Sequence, residues 1–191
     1  MKILVIDACV RGEVSRTRRL YEYLLEKQGK GHEIEILKLA EEDLKPLSGA
    51  DTDCRGEAIQ NGNLDHPMFA YAHQFKQADA IVVAAPYWDL SFPSVLKVYL
   101  EHICVTGITF GYEGADCVGY CQAKKLVYLS TCGGFVQGVH LGASYVKAVG
   151  EMLGIHCFEE FAVEGLDIDP SRVEVLMSEG FERMMSEISL I

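Results

Sequence analysis

A short segment that is apolar at every position, Ala-Ile-Val-Val-Ala-Ala at residues 80–85, restricts the fold of this chain most strongly. Strands of this kind are buried on both faces, as in a parallel sheet that helices cover from both sides. Four further strand-like segments alternate with helix-like segments along the 191 residues. This alternation predicts an α/β protein with a parallel sheet between two layers of helices.

The predicted elements are five strands and five helices. The strands are Lys2–Asp7, Glu33–Leu39, Ala78–Ala85, Lys125–Ser130 and His156–Val163. The helices are Ser15–Gln28, His66–Gln77, Pro93–Cys104, Val139–Leu153 and Pro170–Ile188. Their order predicts a single domain over residues 1–191, a flavodoxin-like three-layer sandwich whose five-stranded parallel sheet has the order 2-1-3-4-5. Two insertions fall outside these elements: Gly107–Ala123, and the polar stretch Pro46–Asp65, which is expected to be an irregular, poorly ordered segment or a flap.

Charge and cysteine content limit the possible partners and location. The chain has 17 basic and 28 acidic residues and a net charge of −11, which argues against nucleic-acid binding. Its apolar runs fall short of the ~18 residues of a membrane span, so no membrane partner is expected. Seven cysteines and no recognisable signal peptide predict reduced thiols and a cytoplasmic location. Cys117 and Cys121 lie close in sequence, but nothing nearby completes a metal site, and no metal is predicted.

The segment after the first predicted strand has the features of a phosphate site. Four of the seven arginines lie within residues 11–19. Three of them, Arg16, Arg18 and Arg19, fall in the first turn of the predicted helix, where the helix dipole disfavours cations by about 0.3–1 kcal/mol each unless an anion is present. Backbone N–H groups and the hydroxyls of Ser15 and Thr17 can donate to phosphate oxygens, and Arg11 or Arg16 can add a charged contact. The alternative is a solvated basic helix with Ser15 as its N-cap. Without a Gly-x-Gly-x-x-Gly or Walker motif, a mononucleotide fits better than NAD or ATP.

Two further segments follow neighbouring strands of the predicted sheet and suggest a site for a flat ring. Tyr87, Trp88, Asp89 and Leu90 follow the third strand, and Thr131, Cys132, Gly133 and Gly134 follow the fourth. Ligands of open α/β sheets bind at the carboxyl ends of the strands, and paired glycines let the backbone approach a ligand closely. Together with the phosphate site, these residues predict a flavin. Taken separately, Trp88 can be a core residue and the glycines a plain turn.

The segment from Tyr87 to Lys97 also resembles a family signature. It reads Tyr-Trp-Asp-Leu-Ser-Phe-Pro-Ser-Val-Leu-Lys and is similar to the Met-Tyr-Asn-Phe-Ser-Ile-Pro-Ser-x-Leu-Lys motif of FMN-dependent NADH azoreductases, which belong to the flavodoxin-like NAD(P)H:quinone oxidoreductases. Further matches lie at Gly107–Tyr112, Gly133-Gly134 and Glu164-Gly165. The resemblance implies that Ser15, Arg16 and Thr17 hold the FMN phosphate. It also implies that residues 87–90 line the ring and residues 131–134 its pyrimidine edge.

The same resemblance implies the reaction. FMN would pass hydride from NADH or NADPH to a quinone, an azo compound or a similar small-molecule acceptor by ping-pong kinetics, in a homodimer that buries the third and fourth predicted helices. The chain departs from the family pattern at Cys9, Asp89 and Cys132, where serine, asparagine and arginine are expected. The reaction needs no catalytic side chain, although His140 can be read either as a proton donor to the acceptor or as a histidine at a helix start.

Three alternative functions remain open at this point. A flavodoxin-type electron carrier would bind flavin without oxidising NAD(P)H directly, but its Thr-rich phosphate loop is missing here. An iron–sulfur flavoprotein would need a compact cysteine cluster, which the sequence also lacks. A flavin-free regulatory relative stays possible because of Cys9 and Asp89. The sequence does not choose between NADH and NADPH, nor does it name the acceptor.

Overall fold

The computed structural model describes residues 1–190, which form one central sheet with helices on both faces. The strands are β1 (Lys2–Asp7), β2 (Glu33–Lys38), β3 (Ala80–Ala84), β4 (Phe110–Glu113), β5 (Asp116–Gly119), β6 (Lys125–Thr131) and β7 (Phe158–Val163). The helices are α1 (Arg16–Gln28), α2 (Gly49–Gln60), α3 (Ala70–Gln77), α4 (Ser94–Ile103), α5 (Leu141–Met152) and α6 (Val173–Glu187). Short 3-10 turns precede α1, α3 and α6.

The central sheet is parallel and has the order β2-β1-β3-β6-β7. This is the predicted order 2-1-3-4-5 once the separate β4–β5 hairpin is set aside, so the predicted flavodoxin-like topology is confirmed. The five predicted strands and five predicted helices all form, with ends that differ by a few residues.

Side chains alternate between the two faces of the central strands and build a core on each side. On β1, Leu4 and Ile6 pack with α4 and α5, while Ile3 and Val5 pack with α1 and α6. All four are fully buried. Because β1 and β3 are buried on both faces, β3 is apolar at every position and β1 is apolar at its four central positions, from Ile3 to Ile6.

The prediction that residues 46–65 form an irregular segment was wrong, because α2 occupies most of it. Ser48 caps this helix: its Oγ accepts a hydrogen bond from the Asp51 N–H (3.2 Å), and Asp51 Oδ2 accepts one from the Ser48 N–H (2.9 Å). Such a reciprocal cap satisfies backbone donors that the helix start leaves free. Only Ala58 of α2 is buried, so the helix has no apolar stripe that a periodicity argument could detect.

The second insertion, residues 107–123, forms the antiparallel hairpin β4–β5. The hairpin lies against the end of α5, where a Cβ on Gly119 would come within 2.0 Å of the Gly154 nitrogen. Gly154 has a φ of 93° and ends α5, as the sequence suggests for a glycine after a helix. Within the described residues, no helix is both long enough and apolar enough to span a bilayer.

Candidate functional site

A cavity of about 150 Å³ lies at the carboxyl ends of the central strands. Eight of the residues predicted for the flavin site line it: Arg11, Ser15, Arg16, Tyr87, Trp88, Thr131, Cys132 and Gly133. These residues come from three separate loops, after β1, β3 and β6, and the parallel sheet brings them together as expected. Trp88 is 41% exposed and is therefore not a core residue.

The cavity wall also includes Pro86, Leu166 and Asp167, which were not among the predicted site residues. Leu166 and Asp167 follow β7, the neighbour of β6 in the sheet. The strand-end rule, applied to the fifth predicted strand with its Glu164-Gly165 pair, would have pointed to them.

The other four predicted site residues do not line this cavity. The Thr17 side chain is fully buried, and its hydroxyl lies 2.6 Å from Thr131 Oγ1. Asp89 and Leu90 lie at the tip of an exposed turn, and Gly134 is exposed beyond Gly133. The role of these four residues therefore stays a prediction. The Thr17 hydroxyl already contacts Thr131, whereas the Thr17 backbone N–H lies in the first turn of α1 and has no carbonyl acceptor within the helix.

A buried ion pair holds the β1–α1 loop in place. Asp7, at the end of β1, accepts hydrogen bonds from Arg18 (Nε, 3.0 Å, and Nη2, 2.7 Å) and from the Tyr21 hydroxyl (3.0 Å). Its other oxygen accepts from the Cys9 N–H at 2.8 Å. The Cys9 thiol faces the Ala84 carbonyl, and burial raises its pKa, so the thiol is neutral. This network fixes the loop that presents Ser15 and Arg16.

Carboxylates neutralise most of the arginine cluster. Arg18 binds Asp7 and Glu13, Arg19 Nη2 lies 2.7 Å from Glu174, and Arg16 Nη2 lies 2.6 Å from Asp167. Among the described residues, Arg11 alone of the four makes no ion pair. These carboxylates therefore largely offset the unfavourable interaction of the arginines with the start of α1. Two of the four arginines, Arg11 and Arg16, line the cavity.

Ser15 serves as the N-cap of α1, since its side-chain oxygen accepts from the Arg18 N–H at 3.4 Å. The alternative interpretation of Ser15 as a helix N-cap is thus observed. The cap does not exclude the predicted contact between Ser15 and a phosphate. A serine hydroxyl has one proton to donate as well as lone pairs to accept with, and Ser15 lines the cavity.

Residues 88–91 form a tight turn with unusual backbone angles. The Trp88 N–H donates to the Ser91 carbonyl (3.2 Å) and the Ser91 N–H donates to the Trp88 carbonyl (2.7 Å). The two central residues have positive φ, 49° for Asp89 and 69° for Leu90. Turns of this type normally use Asn-Gly or Asp-Gly, because other side chains are strained there. The turn projects from the cavity wall that Trp88 forms.

Gly133 allows another segment to approach closely. A Cβ on Gly133 would lie 2.2 Å from Asp167 Oδ2, so a larger residue here would displace that carboxylate. Next to it, burial raises the pKa of Cys132 to about 12. The Cys132 side chain is therefore held as the neutral thiol, the less nucleophilic form.

His140 is the N-cap of α5, where its Nδ1 accepts from the Ala143 N–H at 3.1 Å. Because Nδ1 accepts, the ring proton lies on Nε2, which is buried and has no hydrogen-bond partner within residues 1–190. Burial lowers the pKa of His140. Its ring packs edge-on against Tyr87 at 4.8 Å and Tyr128 at 5.4 Å, so it supports the cavity wall through Tyr87.

A second cavity, of about 280 Å³, lies near the β7 edge of the sheet. His140, Tyr128, Glu160 and Glu164 are among the residues that line it. Although it is larger, it contains none of the residues predicted to bind the flavin. The smaller cavity is the one that brings together residues predicted for the flavin site from the ends of β1, β3 and β6.

The fold and this strand-end site define a flavodoxin-like α/β protein. The model of the flavodoxin-like fold family matches residues 1–188. The chain is 37% identical to FMN-dependent NADH:quinone oxidoreductase 2 of Clostridium acetobutylicum and 34% identical to FMN-dependent NADH:quinone oxidoreductase of Lachnoclostridium phytofermentans, covering 95% of each chain in both comparisons. It also superposes on an azoreductase from Bacillus anthracis with a TM-score of 0.84 and 24% identity, over 97% of each chain.

The chain belongs to the family of FMN-dependent NADH:quinone oxidoreductases within the flavodoxin-like fold. The predicted resemblance is thereby confirmed. The azoreductase superposition, at 24% identity, adds agreement on the fold.

Proposed function

We propose that this protein is an enzyme that uses FMN and NADH to reduce quinones, and azo compounds as well. The observation that carries the proposal is the cavity at the strand ends, where a helix start with two arginines faces an aromatic and glycine wall. It occurs in a chain that matches a curated FMN-dependent NADH:quinone oxidoreductase over 95% of its length.

The residues of the cavity fit FMN at both ends. At the start of α1, Arg11, Arg16 and the Ser15 hydroxyl lie beside backbone N–H groups without intrahelical acceptors, a donor set suited to a phosphate. Tyr87, Trp88 and Gly133 also line the cavity, and they would supply aromatic rings and backbone to the flavin ring. The absence of a side chain on Gly133 leaves room for the Asp167 carboxylate, which lies against the backbone at this point of the cavity wall.

FMN, when bound, supplies the chemistry by accepting hydride from NADH and passing it on to the acceptor. We propose that the protein's part is to hold and shield the cofactor. Arg11 and Arg16 neutralise the phosphate, Tyr87 and Trp88 cover the ring, and the loops after β6 and β7 close the opposite wall. Because one cavity serves both substrates, we expect them to bind in turn, which gives ping-pong kinetics. NADPH stays an alternative donor.

The observed contacts of His140 are those of a helix cap. We propose that, in addition to this structural role, His140 donates a proton to the reduced acceptor. Its proton lies on Nε2 and its ring contacts Tyr87, which lines the cavity. A variant that keeps the cap, His140→Asn, separates the two roles. Loss of acceptor reduction with unchanged helix stability would support proton donation.

The test of the proposed function is a spectrum of the purified protein with FMN, recorded without oxygen before and after NADH is added. The expected result is a bound flavin that NADH bleaches and a quinone reoxidises, with NADPH in parallel to establish the preferred donor. A flavodoxin-type carrier would bind FMN but stay yellow with either nicotinamide. Protein that binds no FMN would contradict the proposal outright.

We propose two further properties, a homodimeric state and a cytoplasmic location. Exposed apolar side chains adjoin the site, among them Trp88, Leu141 and Tyr145, and a second copy of the chain could cover them. All seven cysteines are unpaired, as is usual in a reducing compartment.

A further inference from the structure

Asp167 forms an ion pair inside the wall of the proposed cofactor cavity. Arg16 Nη2 donates to Asp167 Oδ1 at 2.6 Å, and Arg16 Nη1 donates to the Leu166 carbonyl at 3.1 Å. All three residues line the cavity. The Asp167 side chain is 65% exposed and that of Arg16 27%, so the pair lies at the mouth of the cavity rather than in the core.

Backbone hydrogen bonds hold the segment that carries Asp167 independently of Arg16. The Asp167 N–H donates to the Gly133 carbonyl (2.8 Å), and the Leu166 N–H donates to the Cys132 carbonyl (3.1 Å). The second carboxylate oxygen, Oδ2, lies against Gly133, where a Cβ would approach to 2.2 Å. The Asp167 carboxylate therefore extends from Arg16 to Gly133, between the phosphate end and the ring end of the site.

Few other cationic side chains are available to a phosphate at this helix start. Arg18 is buried against Asp7, and Arg19 binds Glu174 outside the cavity. Of the two arginines that line the cavity, Arg16 alone has a carboxylate partner in the described part of the chain. A phosphate that contacts Arg16 must therefore replace Asp167 or lie beside it, and a phosphate monoester carries a charge of about −1.5 to −2 at neutral pH.

We propose that Asp167 competes with the FMN phosphate for Arg16 and thereby sets how tightly this protein holds FMN. The inference rests on the proposed function. Asp167 acts as a specificity residue: it weakens the binding of flavins that carry a phosphate and leaves the binding of riboflavin, which has none, unaffected. FMN bound under this competition exchanges more readily than FMN held by an arginine with no carboxylate partner.

The test compares the affinities of FMN and riboflavin in Asp167→Asn, which keeps the shape of the side chain and removes its charge. The protein is freed of flavin and titrated with each flavin while flavin fluorescence is followed. The expected result is an FMN Kd about fivefold lower than in the wild type, the size associated with a partly exposed ion pair. The riboflavin Kd is expected to stay the same.

A matched control is available on the same helix. Glu174→Gln removes the carboxylate charge that pairs with Arg19, the arginine one turn further along α1, which does not line the cavity. This substitution should leave both Kd values unchanged. Arg16→Gln supplies a second check. In the Arg16→Gln protein, Asp167→Asn should improve the affinity for FMN less than it does in the wild type, because there is no guanidinium left to compete for. An equally large improvement would overturn the proposed competition for Arg16.

The outcomes separate this inference from the proposed function. If the wild type binds FMN but Asp167→Asn binds it equally or more weakly, the inference is wrong while the flavin function stands. If neither protein binds FMN or riboflavin, the proposed function fails and the inference fails with it. Asp167→Ser serves as a second variant, and circular dichroism together with the riboflavin titration verifies that each variant is folded.

Discussion

Leu90 has a φ of 69°, a backbone conformation that leucine rarely adopts, and its side chain is 62% exposed. No burial of that side chain in the described chain offsets the strain, so the two-residue turn beside Trp88 costs stability. Strained residues of this kind are characteristic of functional sites. Here the turn lies next to the cavity wall and determines where the Trp88 ring stands.

We therefore predict that Leu90→Asn stabilises the protein by about 1 kcal/mol, because asparagine tolerates positive φ far better. That gain corresponds to a rise in Tm of about 2–4 °C for a chain of this size. Thermal unfolding measures it. The control is Val139→Asn, at a loop position of similar exposure (65%) without positive φ; equal effects of the two substitutions would contradict the role of strain.

His140 gives a prediction about pH. Burial lowers its pKa, and Glu160, a backbone hydrogen bond and Glu164 oppose that effect more weakly. The unfolded chain takes up a proton near pH 6.5 that the folded protein resists. The stability that neutral His140 contributes is thus present above pH 6.5 and is lost as pH falls from there toward the lower pKa of the folded state.

We predict that His140→Asn, which retains a side-chain acceptor for the Ala143 N–H, reduces this pH dependence. The free energy of unfolding of the wild type should fall more between about pH 7.5 and about pH 5.5 than that of the variant. Urea unfolding at the two pH values measures the difference. Parallel profiles for the two proteins would show that His140 does not titrate differently in the folded state.

At the scale of elements, α2 is held by a small apolar contact through Ala58 and Ile59 and by one polar anchor, Arg55. The Arg55 guanidinium donates to the Glu101 carbonyl at 3.0 Å and to the Cys104 carbonyl, where α4 ends. It therefore satisfies carbonyl groups that a helix end leaves without partners and joins α2 to α4, the helix that follows Trp88.

We predict that Arg55→Met, which keeps the aliphatic stem, lowers the free energy of unfolding by about 1–2 kcal/mol through loss of these hydrogen bonds. Denaturant unfolding measures the change. Arg172→Met is the matched control, because the exposed side chain of Arg172 makes no hydrogen bond or ion pair among residues 1–190. A loss of similar size in both variants would argue against a specific role of Arg55.

Whether a feature could be predicted depends on how far apart along the chain the interacting residues lie. Strands such as β3 are predictable because burial on both faces leaves an uninterrupted apolar run. The arginine cluster correctly marked one end of the cavity, but its partners were out of reach of sequence reasoning: Arg16 and Asp167 are 151 positions apart. The helix α2 was missed because its cap depends on Ser48 and Asp51 alone, a local signal without periodicity.

At the scale of the whole molecule, the apolar surface around α4 and α5 supports the proposed homodimer. Tyr145 on α5 is 40% exposed, and its ring packs against Phe92 and lies near Lys97 of α4. A large aromatic side chain held in this way on the outer surface of two helices is suited to a contact with a second copy of the chain.

We predict that Tyr145→Glu shifts the protein from dimer to monomer, since a charge would be buried in the contact without a partner. Size-exclusion chromatography with light scattering measures the mass. Val175→Glu, at a position of α6 with 49% exposure, should leave the mass unchanged. A monomeric wild type, or a dimer that survives the Tyr145 substitution, would contradict the proposed interface.

The sequence by itself determined the layered architecture, the strand order and three of the four loops that form the cavity, those after β1, β3 and β6. These depend on apolar periodicity and on the rule that ligands bind at the ends of parallel strands, both of which can be read from local patterns. Only the tertiary structure decided which charges meet: Arg18 with Asp7, Arg19 with Glu174, and Arg16 with Asp167. Ion pairs form between side chains that are close in space, and folding alone brings residues so distant along the chain within 3 Å of each other.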